Sequence, residues 1–175
     1  MKKYGVELPD LLREGETVES WQERRKELRR LVEECFYGAM PEGKAEVTAD
    51  GFEEDAHAFA DKAVLTKLTL HCTVGGLKFS FPVVTGFPKN REKVPVFVFL
   101  NFRRDIPDIY FPAEEILDNG FGFLRICYTD VLNDNHFGDF SDGLAEAYYH
   151  GRERGNTEWG KIGMWAYAAQ RSVSR

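Results

Sequence analysis

The sequence lacks most of the signals that would assign a chemistry at once. It holds five serines, Ser20, Ser80, Ser141, Ser172 and Ser174. None stands in a G-x-S-x-G setting, the sharp strand-to-helix turn that exposes a nucleophilic hydroxyl. Three cysteines, Cys35, Cys72 and Cys127, lie far apart with no C-x-x-C spacing, which excludes a disulfide framework and a zinc ribbon. An odd number in apolar surroundings predicts buried, reduced thiols in a reducing compartment. No run approaches the ~20 apolar residues that span a bilayer. Lys2 and Lys3 are not followed by a signal-peptide h-region, because Glu7, Asp10, Arg13 and Glu14 interrupt it. The expectation is a cytoplasmic, soluble protein.

Basic residues are outnumbered by acidic ones, 23 to 29. A net charge of −6 with no basic tail argues against nucleic acid as a main partner. The runs Arg24-Arg25-Lys26 and Arg29-Arg30 alternate with Glu, as a solvated helix face does. The acidic stretch Asp130, Asn133, Asp134, Asn135, His136, Asp139 and Asp142 invites a metal reading. An EF-hand loop counted from Asn133 puts Gly138 sixth, yet Phe137 holds position five and Leu144 position twelve, so the pattern fails. His57, His71 and His150 have no paired ligand spacing. Gly120-Phe121-Gly122 precedes a strand instead of following one, which excludes a dinucleotide fingerprint. No metal and no cofactor is expected.

What is present suits one domain. A chain of 175 residues buries roughly 70% of its unfolded surface. Hydrophobic content of 43% and charged content of 30% are those of an ordinary globular protein. Aromatics make up 14%, with fourteen Phe, and predict a bulky core. Ser20 with Glu23 reads as a capping box opening a helix with a stripe of Trp21, Leu28, Leu31, Val32, Cys35 and Phe36, closed by Gly38. Ala39-Met40-Pro41 must be extended, since the residue before proline avoids helical angles.

From Ala45 to Thr85 the period changes to two. Val64, Thr66, Leu68, Leu70 and Cys72 alternate with Leu65, Lys67, Thr69 and His71, Gly75-Gly76 signals a hairpin, and Leu77, Phe79, Phe81 and Val83 return the chain. Val94–Leu100 is apolar at consecutive positions, as a strand covered on both faces is. A helix over Pro112–Asp118, ended by Asn119-Gly120, and a second apolar strand over Phe121–Tyr128 complete a βαβ unit. Residues 129–155 read mostly as loop, with a short helix at Leu144–His150. The final helix is predicted over Asn156–Arg175, with Thr157 as N-cap, Glu158 in its first turn, and a core stripe of Ile162, Trp165, Ala166, Ala169 and Val173.

Two stretches carry a resemblance. Glu158-Trp159-Gly160-Lys161-Ile162-Gly163-Met164-Trp165-Ala166-Tyr167-Ala168-Ala169-Gln170-Arg171 resembles the helix before the nucleophile strand in the α/β-hydrolase branch that includes glucuronoyl and acetyl-xylan esterases. Trp21 to Pro41, ending Phe36-Tyr37-Gly38-Ala39-Met40-Pro41, resembles that family's N-terminal segment. The resemblance implies an α/β fold class: an incomplete α/β-hydrolase sheet, with N-terminal antiparallel strands, a parallel βαβ unit and a helical N-terminal arm. Residues 1–175 then form a single partial hydrolase domain, with the arm and helix over 1–44 and the sheet portion over 45–175. It implies a front half severed before the nucleophile elbow, with the catalytic acid and histidine further on in chain order.

Of the serines, Ser141, near His136, is the least unfavourable nucleophile. Asp139 and Asp142 beside it raise the cost of an alkoxide. The loop after Val94–Leu100 is the better functional feature. The resemblance makes Asn101, Phe102 and Arg103 oxyanion-loop candidates, with the arginine able to hold an acidic sugar group; the structural alternative pairs the loop arginines with Asp105 and Asp108. With the nucleophile strand absent, the Val94–Leu100 strand should present a bare edge. The expectation is a non-catalytic scaffold that forms a homo-oligomer through that edge or the Ile162–Val173 helix, or that binds a complementing hydrolase half. The alternative expectation is one part of an active carbohydrate-ester hydrolase.

Overall fold

The computed structural model describes residues 2–3, 6–7, 10–43, 45–74, 76–135 and 137–173. Five strands form the main sheet: β1 (Glu46–His57), β2 (Ala63–Val74), β3 (Leu77–Pro88), β4 (Val96–Asn101) and β5 (Gly122–Cys127), in the order β1-β2-β3-β5-β4. The first three are antiparallel, β5 joins β3 antiparallel over Val84–Gly86, and β4 runs parallel to β5. Period-two alternation explains the long hairpin. Leu68, Leu70, Cys72, Phe81 and Val83 are buried on one face, while Lys67, Lys78 and Ser80 point to solvent. Val74 faces Leu77 across the turn, as the glycine pair predicts, although Gly75 itself is outside the described residues.

α2 (Ala113–Asp118) crosses from β4 to β5 on one face. It ends at Asn119 as expected, and Gly120 turns the chain with φ +78°. Phe111, Ala113, Leu117 and Phe123 form a small core beneath it. The opposite face carries the main core. There α3 (Gly143–Tyr149) and α4 (Lys161–Ser172) cover Leu70, Phe81, Val83, Leu124 and Ile126. Every residue of β5 is buried, Arg125 included, as in a strand covered on both faces, whose apolar residues point both ways.

Several local expectations are corrected. α1 (Val18–Val32) starts one turn earlier than Ser20-Glu23 suggests: Thr17 is the N-cap, and Thr17 and Ser20 form the capping box. Its apolar stripe is not a core face. Leu31, Val32 and Phe36 remain exposed, and the buried residue is Arg24, paired with Glu27 at 2.8 Å. A π-helical turn, Glu33–Tyr37, extends α1, and Cys35 on it is exposed, unlike buried Cys72 and Cys127; all three thiols are free.

α4 begins at Lys161 with Gly160 as N-cap, so Thr157 does not cap it and Glu158 is not in its first turn. Met164, Tyr167 and Ala168 are its buried residues, whereas Ile162 is 56% exposed and Val173 58%. The predicted stripe therefore names much of the outer face. Apolar residues surround this helix, and contact with the sheet, not periodicity, selects the buried side. Ser174 and Arg175 are outside the described residues.

The N-terminal arm docks by its backbone. The Ala39 N–H donates to the Thr157 carbonyl at 3.1 Å, and the Gly160 N–H to the Tyr37 carbonyl at 2.7 Å. Gly38, at φ +73° and ψ 158°, makes this approach: a Cβ there would stand 1.8 Å from the Glu158 carbonyl oxygen. The backbone before α4 is held in turn by Glu158, whose carboxylate takes both Arg152 nitrogens (2.9 and 2.8 Å) and the Gly155 N–H (2.5 Å). No helix among the described residues is long and apolar enough to cross a membrane.

Candidate functional site

β4 is an edge strand. It pairs with β5 on one side, and Phe97 is 50% exposed, with Val96 and Val98 also exposed. The expected strand begins at Val96, not Val94, and it is covered only toward Asn101. Beside its start lies an apolar groove of about 950 Å³, lined by Ala49, Phe52, Val83, Phe87, Val96 and Val173 among others. Val173, just past α4, and Val96, the first residue of the unpaired edge, thus line one groove.

The loop after β4 is tied from below. Asn101 is 1% exposed. Its carboxamide nitrogen donates to Asp108 at 3.0 Å, and its carboxamide oxygen accepts the Phe102 N–H at 2.8 Å. The Phe102 ring is 77% exposed and leans edge-on against Tyr128 at 5.5 Å. Arg103 lies over the Tyr110 ring at 5.0 Å. No described group accepts the Arg103 N–H. Arg104 pairs with Asp130 at 2.6 Å, which raises its pKa further. The alternative pairing of these arginines with Asp105 and Asp108 is therefore corrected: Asp130 and an aromatic face take them instead.

Sequence reasoning passed over Arg125. It sits inside β5, 5% exposed, and donates through Nη2 to the Arg104 carbonyl, while its Nε has no partner among the described residues. Burial draws its pKa down, and the carboxylates of Asp130, Asp105 and Asp108 oppose that shift. An arginine within an apolar strand is the signal that could have found it, because such a charge needs a partner.

The other candidates separate. The Ser141 hydroxyl donates to Asp139 at 3.1 Å, and His136 is outside the described residues. Asn133 bonds Asp142 Oδ2, and Asn135 bonds Asp139, so the Asx-rich loop is tied largely to itself, while Asp142 Oδ1 is buried without a partner among the described residues. Among the described residues no group of three metal-ligating side chains occurs. His57 pairs with Asp61 at 2.7 Å on the surface, and His150 ends α3 in a left-handed conformation. His71 and Ser80, both set aside from sequence, meet across the hairpin at 2.7 Å. Their equal distance from the glycine turn was the available signal.

The antiparallel strands, the parallel pair with its crossover helix and the unpaired β4 edge make this an incomplete α/β-hydrolase sheet. No protein-family model matches the sequence, and no curated protein matches it by sequence comparison. Solved structures do match. A CE15 glucuronoyl esterase from Teredinibacter turnerae shares 21% identity at a TM-score of 0.70, over 94% of this chain and 45% of that one. A glucuronoyl esterase from Solibacter usitatus shares 20% at 0.73, over 95% and 52%. A promiscuous CE15 esterase from a marine bacterial metagenome shares 20% at 0.71, over 98% and 52%. At these identities the likeness is one of fold, and the chain spans about half the length of the structures it matches.

Proposed function

We propose that residues 1–175 are the front half of a serine-type carboxylic-ester hydrolase acting on carbohydrate esters such as those of glucuronic acid, and that this half is a scaffold without catalytic activity of its own. The observation that carries the reading is the bare β4 edge beside the end of α4. Val173 and Val96 line the same groove, so a chain continuing past α4 can enter beside β4 as a parallel strand by a right-handed crossover. In an α/β-hydrolase the nucleophile sits at the end of such a strand.

The contribution of this half is the loop Asn101–Arg103. Asn101 occupies the Phe102 N–H, which leaves the Arg103 N–H as the donor for a developing oxyanion. A preorganised donor of this kind is worth about 3–4 kcal/mol in the transition state. Arg103, charged and unpaired with any described carboxylate, is placed to meet an acidic sugar group.

The test is hydrolysis of an alkyl glucuronate ester. The chain alone should show no turnover, and co-expression with the polypeptide encoded directly downstream should restore it. A downstream frame without a strand–G-x-S-x-G–helix pattern, or no turnover from the pair, overturns the reading. So does turnover by the chain alone that Ser141→Ala abolishes.

A second reading is favoured by the exposed Phe97 and Val98 on the unpaired strand. Such an edge templates pairing with another copy, and the outer face of α4 offers Ile162 as a second contact. Light scattering should then show an oligomer at low micromolar concentration. A stable monomer there excludes self-association and leaves the complementing half as the partner.

A further inference from the structure

We propose that Asp50, His71 and Ser80 form a nucleophilic site on the open face of strands β1, β2 and β3, one that accepts an acyl group from a small activated ester. It lies away from the β4 loop and does not rest on the function proposed above.

Register builds the site. Thr48, His71 and Ser80 form one row across three strands, and Asp50 lies on the next row, opposite Thr69. Antiparallel pairs alternate between bonded and non-bonded, and the pair closing a two-residue loop is bonded. Val74 and Leu77 close this loop. His71 and Ser80, three pairs further on, are then a non-bonded pair, the kind whose side chains approach most closely. The contact agrees: Ser80 Oγ is 2.7 Å from His71 Nδ1. His71 Nε2 is shielded from solvent and has no aligned hydrogen bond, yet the Asp50 carboxylate stands 2.9 Å away. Resting catalytic contacts are often misaligned in this way and tighten when charge develops. The same alternation turns the Ser80 N–H away from β2, toward an edge that β5 reaches only at Val84. That N–H can receive the oxyanion, as a nucleophilic serine's own amide does in serine hydrolases.

The step balances. Ser80 Oγ attacks the carbonyl carbon, and its proton passes to His71 Nδ1. The imidazolium carries its second N–H toward Asp50, which offsets the new charge. The tetrahedral oxyanion collapses, the C–O bond to the leaving phenolate breaks, and the proton on His71 goes to that phenolate. Acyl-Ser80 and a phenol remain. No described cavity encloses the triad, so the acyl groups it takes are small and their leaving groups good.

The experiment is exposure of the chain to p-nitrophenyl acetate, followed by peptide mass mapping. The expected result is one acetyl group on the peptide that contains Ser80, absent in Ser80→Ala. His71→Gln should slow acetylation by about a hundredfold, the lower end of general-base contributions. Asp50→Asn should slow it at unchanged melting temperature, and Asp50→Glu should restore it. Acetylation confined to lysines, or an unchanged rate in Ser80→Ala or His71→Gln, overturns the proposal and leaves a simple cross-strand pair. Mapping of the unaltered chain decides the matter even if a variant misfolds. Ser80 labelling is also independent of glucuronate ester turnover, so the two readings fail separately.

Discussion

Replacing Gly38 with alanine should release the N-terminal arm and leave the sheet intact. Gly38 sits at φ +73° and ψ 158°, a region essentially reserved for glycine, where another residue costs about 1–3 kcal/mol. A Cβ would stand 1.8 Å from the Glu158 carbonyl oxygen, 2.4 Å from its carbon and 2.8 Å from the Trp159 nitrogen. All are backbone atoms, so no side chain can swing aside. That carbonyl also accepts the Arg154 Nε–H at 2.9 Å, which resists its displacement. The arm must lift instead and surrender the Ala39–Thr157 and Gly160–Tyr37 bonds. At about 1 kcal/mol each, the docking equilibrium weakens by about 2 kcal/mol, roughly thirtyfold.

Hydrogen exchange reads this directly. The Ala39 and Gly160 amides should lose protection together, while Cys72 and Val83 in the core keep theirs. Gly15→Ala is the control: φ is also positive there, at +78°, but nothing lies within 4 Å of the added carbon. Full protection of both amides in Gly38→Ala, or equal loss in Gly15→Ala, would refute the reasoning.

Three further outcomes follow from named contacts. The Glu158 carboxyl is held at about 2, below its ordinary 4.5, first by Arg152 and then by the Gly155 N–H; its contribution is complete above about pH 4.5 and lost as pH falls through about 2. Protection of the Gly155 amide should decline over that window, and Glu158→Gln should remove the dependence; an unchanged profile in the variant refutes the assignment. Tyr149→Phe deletes a buried hydroxyl that donates to the Trp159 carbonyl at 2.7 Å and should cost about 1–2 kcal/mol in denaturant unfolding, so an unshifted midpoint counts against that bond. Gly86→Ala places a carbon 2.4 Å from the ring of Phe123, which is fully buried and edge-on to Phe111 at 4.9 Å; overpacking should cost about 1–3 kcal/mol, and a loss under about 0.5 would show that the ring can yield.

The legible part of this protein is what short-range physics decides. Alternation over Val64–Val83 with a glycine turn leaves one hairpin register that buries Leu68, Leu70 and Phe81 together, because a slip by one residue would expose them all. Apolar residues on both faces of Gly122–Cys127, interrupted only by Arg125, demand cover on both sides, and Asn119-Gly120 stops α2 where expected. Gly38 as the end of the first helical stretch was equally readable. The loop after β4 could be located, since it must follow the strand, but its partners could not.

Tertiary structure decided the rest. α4 carries apolar residues around its circumference, so only the position of the sheet makes Met164, Tyr167 and Ala168 the buried ones. Arg104 chose Asp130 over Asp105 and Asp108 because β5 brings Asp130 alongside from 26 residues away. The row that joins His71 to Ser80 exists only once two strands are paired. Periodicity reports which residues of one segment share a face; which segment meets that face is set by long-range packing, and no local pattern encodes it.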